Sequence, residues 1–256
     1  MAKHLLRILN RLVSLAVALA LLGAGAYSAY ALWDNSRVYA AAENVQADML
    51  KLKPTLSADG TEDDASFAEL RTINPDVCAW LTLDNTKIDY PVLQGEDNLE
   101  YVNTDVYGNF ALAGSIFLDA SNDSRFGDTY NLLYGHHMDA SRMFGDLDLY
   151  KEKQFFEDNT TGVLMMPGKA YHLEIFACLV VTASEENIFE PARWQDDITG
   201  LLDFAGEHAL FQHADVISAL RTADSPKILA MSTCSTEFTD ARTILLARMQ
   251  PIERLK

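Results

Sequence analysis

The sequence predicts a mainly β domain carried on a membrane-tethered chain, and three observations lead there. Short apolar runs separated by turn residues recur from residue 77 to the C-terminus. Beyond Pro75, apolar residues at helical spacing stand out in one stretch, 192–209. Residues 12–33, LVSLAVALALLGAGAYSAYALW, carry no charge over a length that spans a bilayer as a helix.

Lys3, Arg7 and Arg11 precede that apolar run, and Tyr27, Tyr30 and Trp33 gather at its far end. The positive-inside rule then keeps residues 1–11 cytoplasmic, makes 12–33 a single-pass anchor, and places everything after Trp33 outside the cell. A cleaved signal peptide is the alternative, since Gly23 to Ala26 offer small residues. The run, however, exceeds the roughly 7–15 apolar residues of a signal core. Residues 34–63 are expected to be a helical stalk, with Val45, Met49 and Leu52 along it, followed by the acidic linker PTLSADGTEDD. The folded domain is expected over 64–256. It opens on a short helix at about 65–73, which Ser66 and Glu69 start as a capping box and Pro75 stops.

Strands are expected at 77–83 (VCAWLTL), 87–94 (KIDYPVLQ), 114–119 (GSIFLD) and 131–137 (NLLYGHH). TGVLMMP (161–167) and YHLEIFACLVVTA (171–183) should form a hairpin across Gly168 and Lys169, and KILAMSTC and TILLARM supply the last two strands. Trp194, Ile198, Leu201, Leu202 and Ala205 mark an amphipathic helix over 192–209 whose stripe is core packing. About eight mostly antiparallel strands with peripheral helices are best protected at their edges by closing into a barrel.

The net charge is −17; without the three cations of the N-terminus, residues 34–256 hold 17 basic against 37 acidic residues, or −20. That balance disfavours nucleic acid as a partner and fits a solvated acidic surface. Cys78, Cys178 and Cys234 are odd in number and far apart, a poor disulfide framework that leaves at least one free thiol. Cys78 in VCAW and Cys178 in IFACLVV sit in apolar runs, whereas Cys234 in STCST has polar neighbours.

If KILAMSTC and TILLARM pair antiparallel, Cys234 and Arg242 meet at one end of the sheet. Positive charge favours a thiolate, so this is a candidate reactive pair, although an ordinary loop cysteine beside a surface arginine fits the residues equally well. NLLYGHHM supplies an acid/base group of near-neutral pKa. Adjacent strand residues face opposite sides, so at most one of His136 and His137 faces the site, and the two do not chelate a metal together. No Cys, His or carboxylate spacing predicts a metal, no phosphate loop appears, and no cofactor is expected.

Three segments in order, LRTINPDVCAWLTLDNTKIDYPVLQGEDNLEYVNTDVYGNFALAGSIFLDASND, NLLYGHHM with MFGDL, and STCSTEFTDARTILLARM, resemble the class B sortases over about residues 66–250. The resemblance implies an eight-stranded sortase barrel and a cysteine transpeptidase of the Gram-positive cell surface. Cys234 matches the nucleophile, His136 the catalytic histidine and Arg242 the conserved arginine. Asn98, Tyr134, Ser232 and Thr233 match positions in or beside the peptide groove, and Ile188 matches the substrate-facing loop. LAMSTC stands where the family often has TLSTC, a departure that leaves the reactive triplet intact. The implied partners are a secreted protein bearing a C-terminal sorting signal and an amine acceptor, either a cell-wall precursor or a pilin lysine. Two rivals share the same residues: an exported cysteine protease that passes the acyl group to water, and an anchored surface domain that has lost activity.

Overall fold

The strand VCAWLTL is apolar on both faces, and so it must be covered on both. A computed structural model describes residues 2–55, 64–139, 141–234 and 239–252, and in it this segment is β1 (Val77–Leu83), with Trp80 and Leu81 fully buried. The other barrel strands are β2 (Asp89–Leu93), β3 (Ile116–Leu118), β4 (Tyr130–Tyr134), β5 (Thr161–Met166), β6 (Lys169–Thr182), β7 (Ile228–Cys234) and β8 (Ala241–Pro251), and three two-residue strands, His137–Met138, Arg142–Met143 and Phe211–Gln212, lie outside the barrel order. The barrel strands run in the order β8-β7-β4-β3-β2-β1-β5-β6, and pairing of β6 with β8 closes the barrel. The closed eight-stranded barrel is the architecture predicted from the strand pattern. Six neighbouring pairs are antiparallel; β2–β3 and β4–β7 are parallel.

Local chemistry explains the irregular places. Pro91 lacks an N–H, and β3 joins β2 only from Val92 onward, so no bond is asked of the proline on that side. The β5–β6 hairpin closes between Met166 and Lys169, one residue earlier than the spacing suggests, because Gly168 takes a φ of +77° that favours glycine. The barrel's outer surface under β4, β6, β7 and β8 is covered by two helices, α5 (Thr199–His208) and α6 (Ala214–Thr222). Leu201, Leu202, Ile217 and Leu220 there meet Ile228, Ala230, Ile244 and Leu246.

The single helix expected over 192–209 is a short 3-10 turn, Pro191–Trp194, followed by α5. Pro191 starts the turn, and the Asp197 carboxylate accepts from Thr199 N at 2.8 Å, so the second helix begins afresh. Helix α6 and the two short helices before it, α3 (Lys153–Asp158) and α4 (Glu186–Phe189), had no counterpart in the sequence reading.

Helix α1 spans Ala2–Leu50, and the expected short helix is α2 (Asp64–Ile73). Contacts divide the chain into two units, residues 1–41 and 42–256. The first unit is helical from Ala2, with exposed apolar side chains such as Leu5, Leu19 and Leu21, and contains a stretch long and apolar enough to cross a membrane. Within the second unit the end of α1 is docked: Met49 is buried with Phe67, Leu70 and Trp80, and Val45 and Leu52 pack against the same cluster. The Gln46 amide donates to Lys87 O at 2.9 Å and Lys53 pairs with Asp89 at 2.8 Å. The residues read as a stalk therefore contribute an apolar stripe to the barrel unit. Most of the expected linker, residues 56–63, lies outside the described residues.

Met49→Ala in residues 34–256 is expected to cost about 2–5 kcal/mol and Met49→Leu less than about 1.5 kcal/mol, read as a lower urea midpoint at unchanged slope. A freely projecting stalk would show no change for either.

Candidate active site

Antiparallel pairing of β7 with β8 sets the site's geometry. The ladder runs from Ile228↔Arg248 to Cys234↔Arg242, so the expected nucleophile and arginine are direct register partners at one end of the sheet. The Cys234 side chain and residues 235–238 lie outside the described residues; Cys234 is fixed here by its backbone position. On the other side of β7, the parallel strand β4 pairs Tyr134 with Ser232 and leads directly into His136.

His136 is held by the chain on either side. Gly135 N donates to Ser232 O at 3.1 Å, and His136 O accepts from Phe144 N at 3.0 Å. Gly135 has to be glycine: a Cβ there would lie 2.5 Å from Ile116 Cδ1 and 2.7 Å from Phe144 Cδ2. The His136 ring reaches Val102 O with Nε2 at 2.7 Å. A carbonyl only accepts, so Nε2 carries the proton and Nδ1 is the nitrogen left to exchange one.

These residues line a groove of 390 Å³ in which His136, Arg242, Ser232 and Thr233 sit with Asn98 and Tyr134. Arg242 turns one guanidinium N–H back to Ala241 O at 2.9 Å. Ser232 and Thr233 are each 2 % exposed, and the Thr233 hydroxyl has no partner among the described residues. The wall is built around Asp119. Its Oδ2 accepts from Asn98 Nδ2 (2.8 Å) and the Tyr134 hydroxyl (2.9 Å), and its Oδ1 accepts from Ser121 N and Oγ. Burial, and then the Asp119 charge, keep the Tyr134 hydroxyl protonated well above the ordinary tyrosine range. Tyr134 stacks on Phe189 with centroids 6.3 Å apart and tilts against Phe117 at 5.3 Å.

Of the residues expected at the groove, Ile188 is the exception. It is fully buried in the core cluster beneath α5, where Tyr130 OH donates to its carbonyl, and its neighbour Phe189 lines the groove instead. The one-turn helix α4 imposes that choice, since consecutive residues on it point in different directions. Val102, Ser115, Phe117 and Ala183 also line the groove and escaped sequence reasoning, as none belongs to a chemistry-bearing motif.

His137 turns away from the groove and donates from Nε2 to Asp148 Oδ2 at 3.1 Å. That hydrogen bond raises the His137 pKa above 6.5, against the opposing effect of burial. Burial alone would raise the Asp148 carboxyl, but hydrogen bonds from His137, Lys151 and Thr243 hold it down at about 2. Cys78 and Cys178 are buried, and burial pushes the Cys78 thiol up to about 12, where it is inert at neutral pH. Among the described residues no group of His, Cys, Asp and Glu could hold a metal.

No family model matches the chain. Sortase B of Listeria monocytogenes is 30% identical over 206 residues, covering 80% of this chain and 81% of that protein. The chain belongs to the class B sortases. Sortase B of Staphylococcus aureus agrees at 27% identity over 185 residues, with 72% and 74% covered. Among solved structures, a Streptococcus pyogenes class B sortase involved in pilus biogenesis superimposes with a TM-score of 0.65 at 34% identity, over 72% of this chain and 97% of that one. Clostridium perfringens sortase B gives the same TM-score at 29% identity, over 73% and 100%. As a class B sortase, the chain is a cysteine transpeptidase.

Two expected outcomes test the site's supports. Asp119→Ala removes the acceptor of Asn98 and Tyr134 and should cost about 1–3 kcal/mol, whereas Tyr134→Phe, which leaves Asp119 its other donors, should cost about 1 kcal/mol or less in chemical denaturation. The second outcome concerns pH. The low folded pKa of Asp148 gives stability present above the carboxyl's ordinary 3.8 and lost as pH falls through about 2. The raised His137 pKa gives stability present below 6.5 and lost as pH rises through its folded value. The Tm difference between the wild type and Asp148→Ala should therefore be largest between about pH 4 and 6.5, shrink above it, and vanish towards pH 2.

Proposed function

We propose that this sortase cleaves the C-terminal sorting signal of an exported protein through a thioester on Cys234, with His136 moving the protons and Arg242 stabilising the oxyanion. The observation that carries the reading is the convergence of His136 and Arg242 on one groove, with Cys234 as Arg242's register partner. The Cys234 thiolate attacks the scissile carbonyl, the C–N bond breaks, and His136 gives its proton to the departing amine. The acceptor amine then loses a proton to His136 and attacks the thioester, releasing the thiolate. Arg242 and nearby backbone N–H groups face the negative oxygen that develops in both steps.

The groove floor of Ser232, Thr233 and Tyr134, with Asn98 at its edge, is the surface on which the peptide would lie extended. The apolar helix, preceded by Lys3, Arg7 and Arg11, is read as a single-pass anchor with the N-terminus cytoplasmic and the barrel outside. There the enzyme would meet secreted substrates and either a cell-wall amine or a pilin lysine. The relative from Streptococcus pyogenes is involved in pilus biogenesis, which makes a pilin lysine one of the two acceptors to test.

Residues 34–256, mixed with synthetic sorting-signal peptides and with triglycine or a lysine-bearing pilin peptide, are expected to give a ligated product by mass spectrometry. Cys234→Ala should lower turnover at least about 10³-fold, and Arg242→Ala should lower kcat by about 10²–10³. Hydrolysed peptide alone, in surplus amine, would make the enzyme a cysteine protease instead.

A further inference from the structure

His137 is the neighbour of the histidine assigned to catalysis, yet its side chain takes no part in the groove. It belongs to a short ladder in which His137–Met138 pairs with Arg142–Met143, and its ring reaches Asp148 on the 3-10 turn Gly145–Lys151. The same carboxylate has a second grip. Asp148 Oδ1 accepts from Thr243 Oγ1 at 2.9 Å and from Lys151 Nζ at 2.9 Å. Thr243 is fully buried, directly follows Arg242 on β8, and is the register partner of Thr233, the residue before Cys234.

Strand alternation gives this arrangement its meaning. Successive residues of β8 point to opposite faces, so Thr243 held from behind leaves Arg242 directed to the groove. His136 and His137 divide in the same way, one onto the groove and Val102 O, the other onto Asp148. One carboxylate therefore grips the sequence neighbours of both groove residues.

We propose that His137, Asp148 and Thr243 form a positioning clamp that holds the His136 segment in register with the Arg242 strand, setting the distance across which proton transfer and oxyanion stabilisation occur. The clamp rests on the roles proposed above for His136 and Arg242; its own three residues are positioning residues. The charged groups facing His137 are Asp148 and Lys151 from the 3-10 turn and Asp139 from its own turn. The hydrogen bond to Asp148 favours the charged imidazolium, and the grip is strongest where the ring is protonated and the carboxylate is not. Both partners are about a quarter to a third exposed, so solvent screens part of the pair's contribution to global stability, and the rest of its effect falls on geometry.

The test uses the full chain in detergent micelles, with the sorting peptide and amine that ligate best in the mass-spectrometric panel, and well below every variant's Tm. His137→Ala and Asp148→Ala are each expected to lower kcat about tenfold or more with KM within about twofold, because misplacing a catalytic group costs up to roughly 10²-fold. The double variant should be no worse than the poorer single one, and His137→Gln and Asp148→Asn, which keep a hydrogen bond, should recover most of the loss. In parallel, the pH of half-maximal Cys234 alkylation by iodoacetamide, read by peptide mapping, should move upward in both alanine variants as the histidine and arginine lose their alignment. Wild-type kcat in the alanine variants, a loss borne by KM, additive losses, or an unmoved alkylation profile would each overturn the clamp. His136→Ala separates the two levels: if it is inactive while the His137 variants are normal, only the clamp fails, and if it stays active the assignment of His136 fails as well.

Discussion

The register of one antiparallel pair governs the rest of this molecule. Slipping β7 against β8 by one residue would break the Cys234↔Arg242 pairing and turn one strand's apolar set, Ile228 with Ala230 or Ile244 with Leu246, away from the helices that cover it. Burial of that apolar face therefore fixes the same register that brings the cysteine to the arginine. The parallel strand β4 adds a third constraint, since its pairing from Ile228↔Tyr130 to Ser232↔Tyr134 delivers His136 one glycine later. Packing energy and catalytic geometry depend on the same hydrogen-bond ladder.

Around that ladder the protein isolates polar groups and gives each a partner. Asp119 carries four donors on two oxygens and thereby stiffens the groove wall through Asn98, Tyr134 and Ser121. Asp148 does the same behind the groove for His137, Thr243 and Lys151. A buried or half-buried carboxylate with several donors is rigid because moving any one of them exposes unsatisfied polar atoms. The Thr233 hydroxyl, buried and unpartnered among the described residues, is an exception, and it lies beside the strand position of Cys234.

Much of the barrel was legible because its strands are short apolar runs bounded by turn residues, and both faces of β1, β4 and β7 are buried. The helices were read less well. The stripe from Trp194 to Ala205 merged a 3-10 turn with α5 because the apolar spacing continues across Asp196 and Asp197, and only the chain's turn at Asp197 separates them. Val45, Met49 and Leu52 follow helical spacing, with Leu52 in the turn just past the end of α1, and that spacing was itself the sign of docking on a core. In the site, the glycine, the two histidines, the cysteine and the arginine were visible as motif residues. Asp119, Asp148, Val102 and Phe189 were not, since their roles come from long-range contacts that no local spacing encodes. Ile188 and Phe189 differ by one position, and a helix of one turn decided which of them faces the groove.

The assignment of Cys234 as the thiol that carries the acyl group is tested most directly by trapping the intermediate. The wild-type enzyme is incubated with a sorting peptide and no amine, quenched in acid, digested, and the adduct located by mass spectrometry. The adduct is predicted on the peptide containing Cys234, is removed by hydroxylamine as a thioester should be, and disappears in His136→Ala and Arg242→Ala. An adduct on Cys78 or Cys178, or turnover of the peptide with Cys234 replaced by alanine, would contradict it.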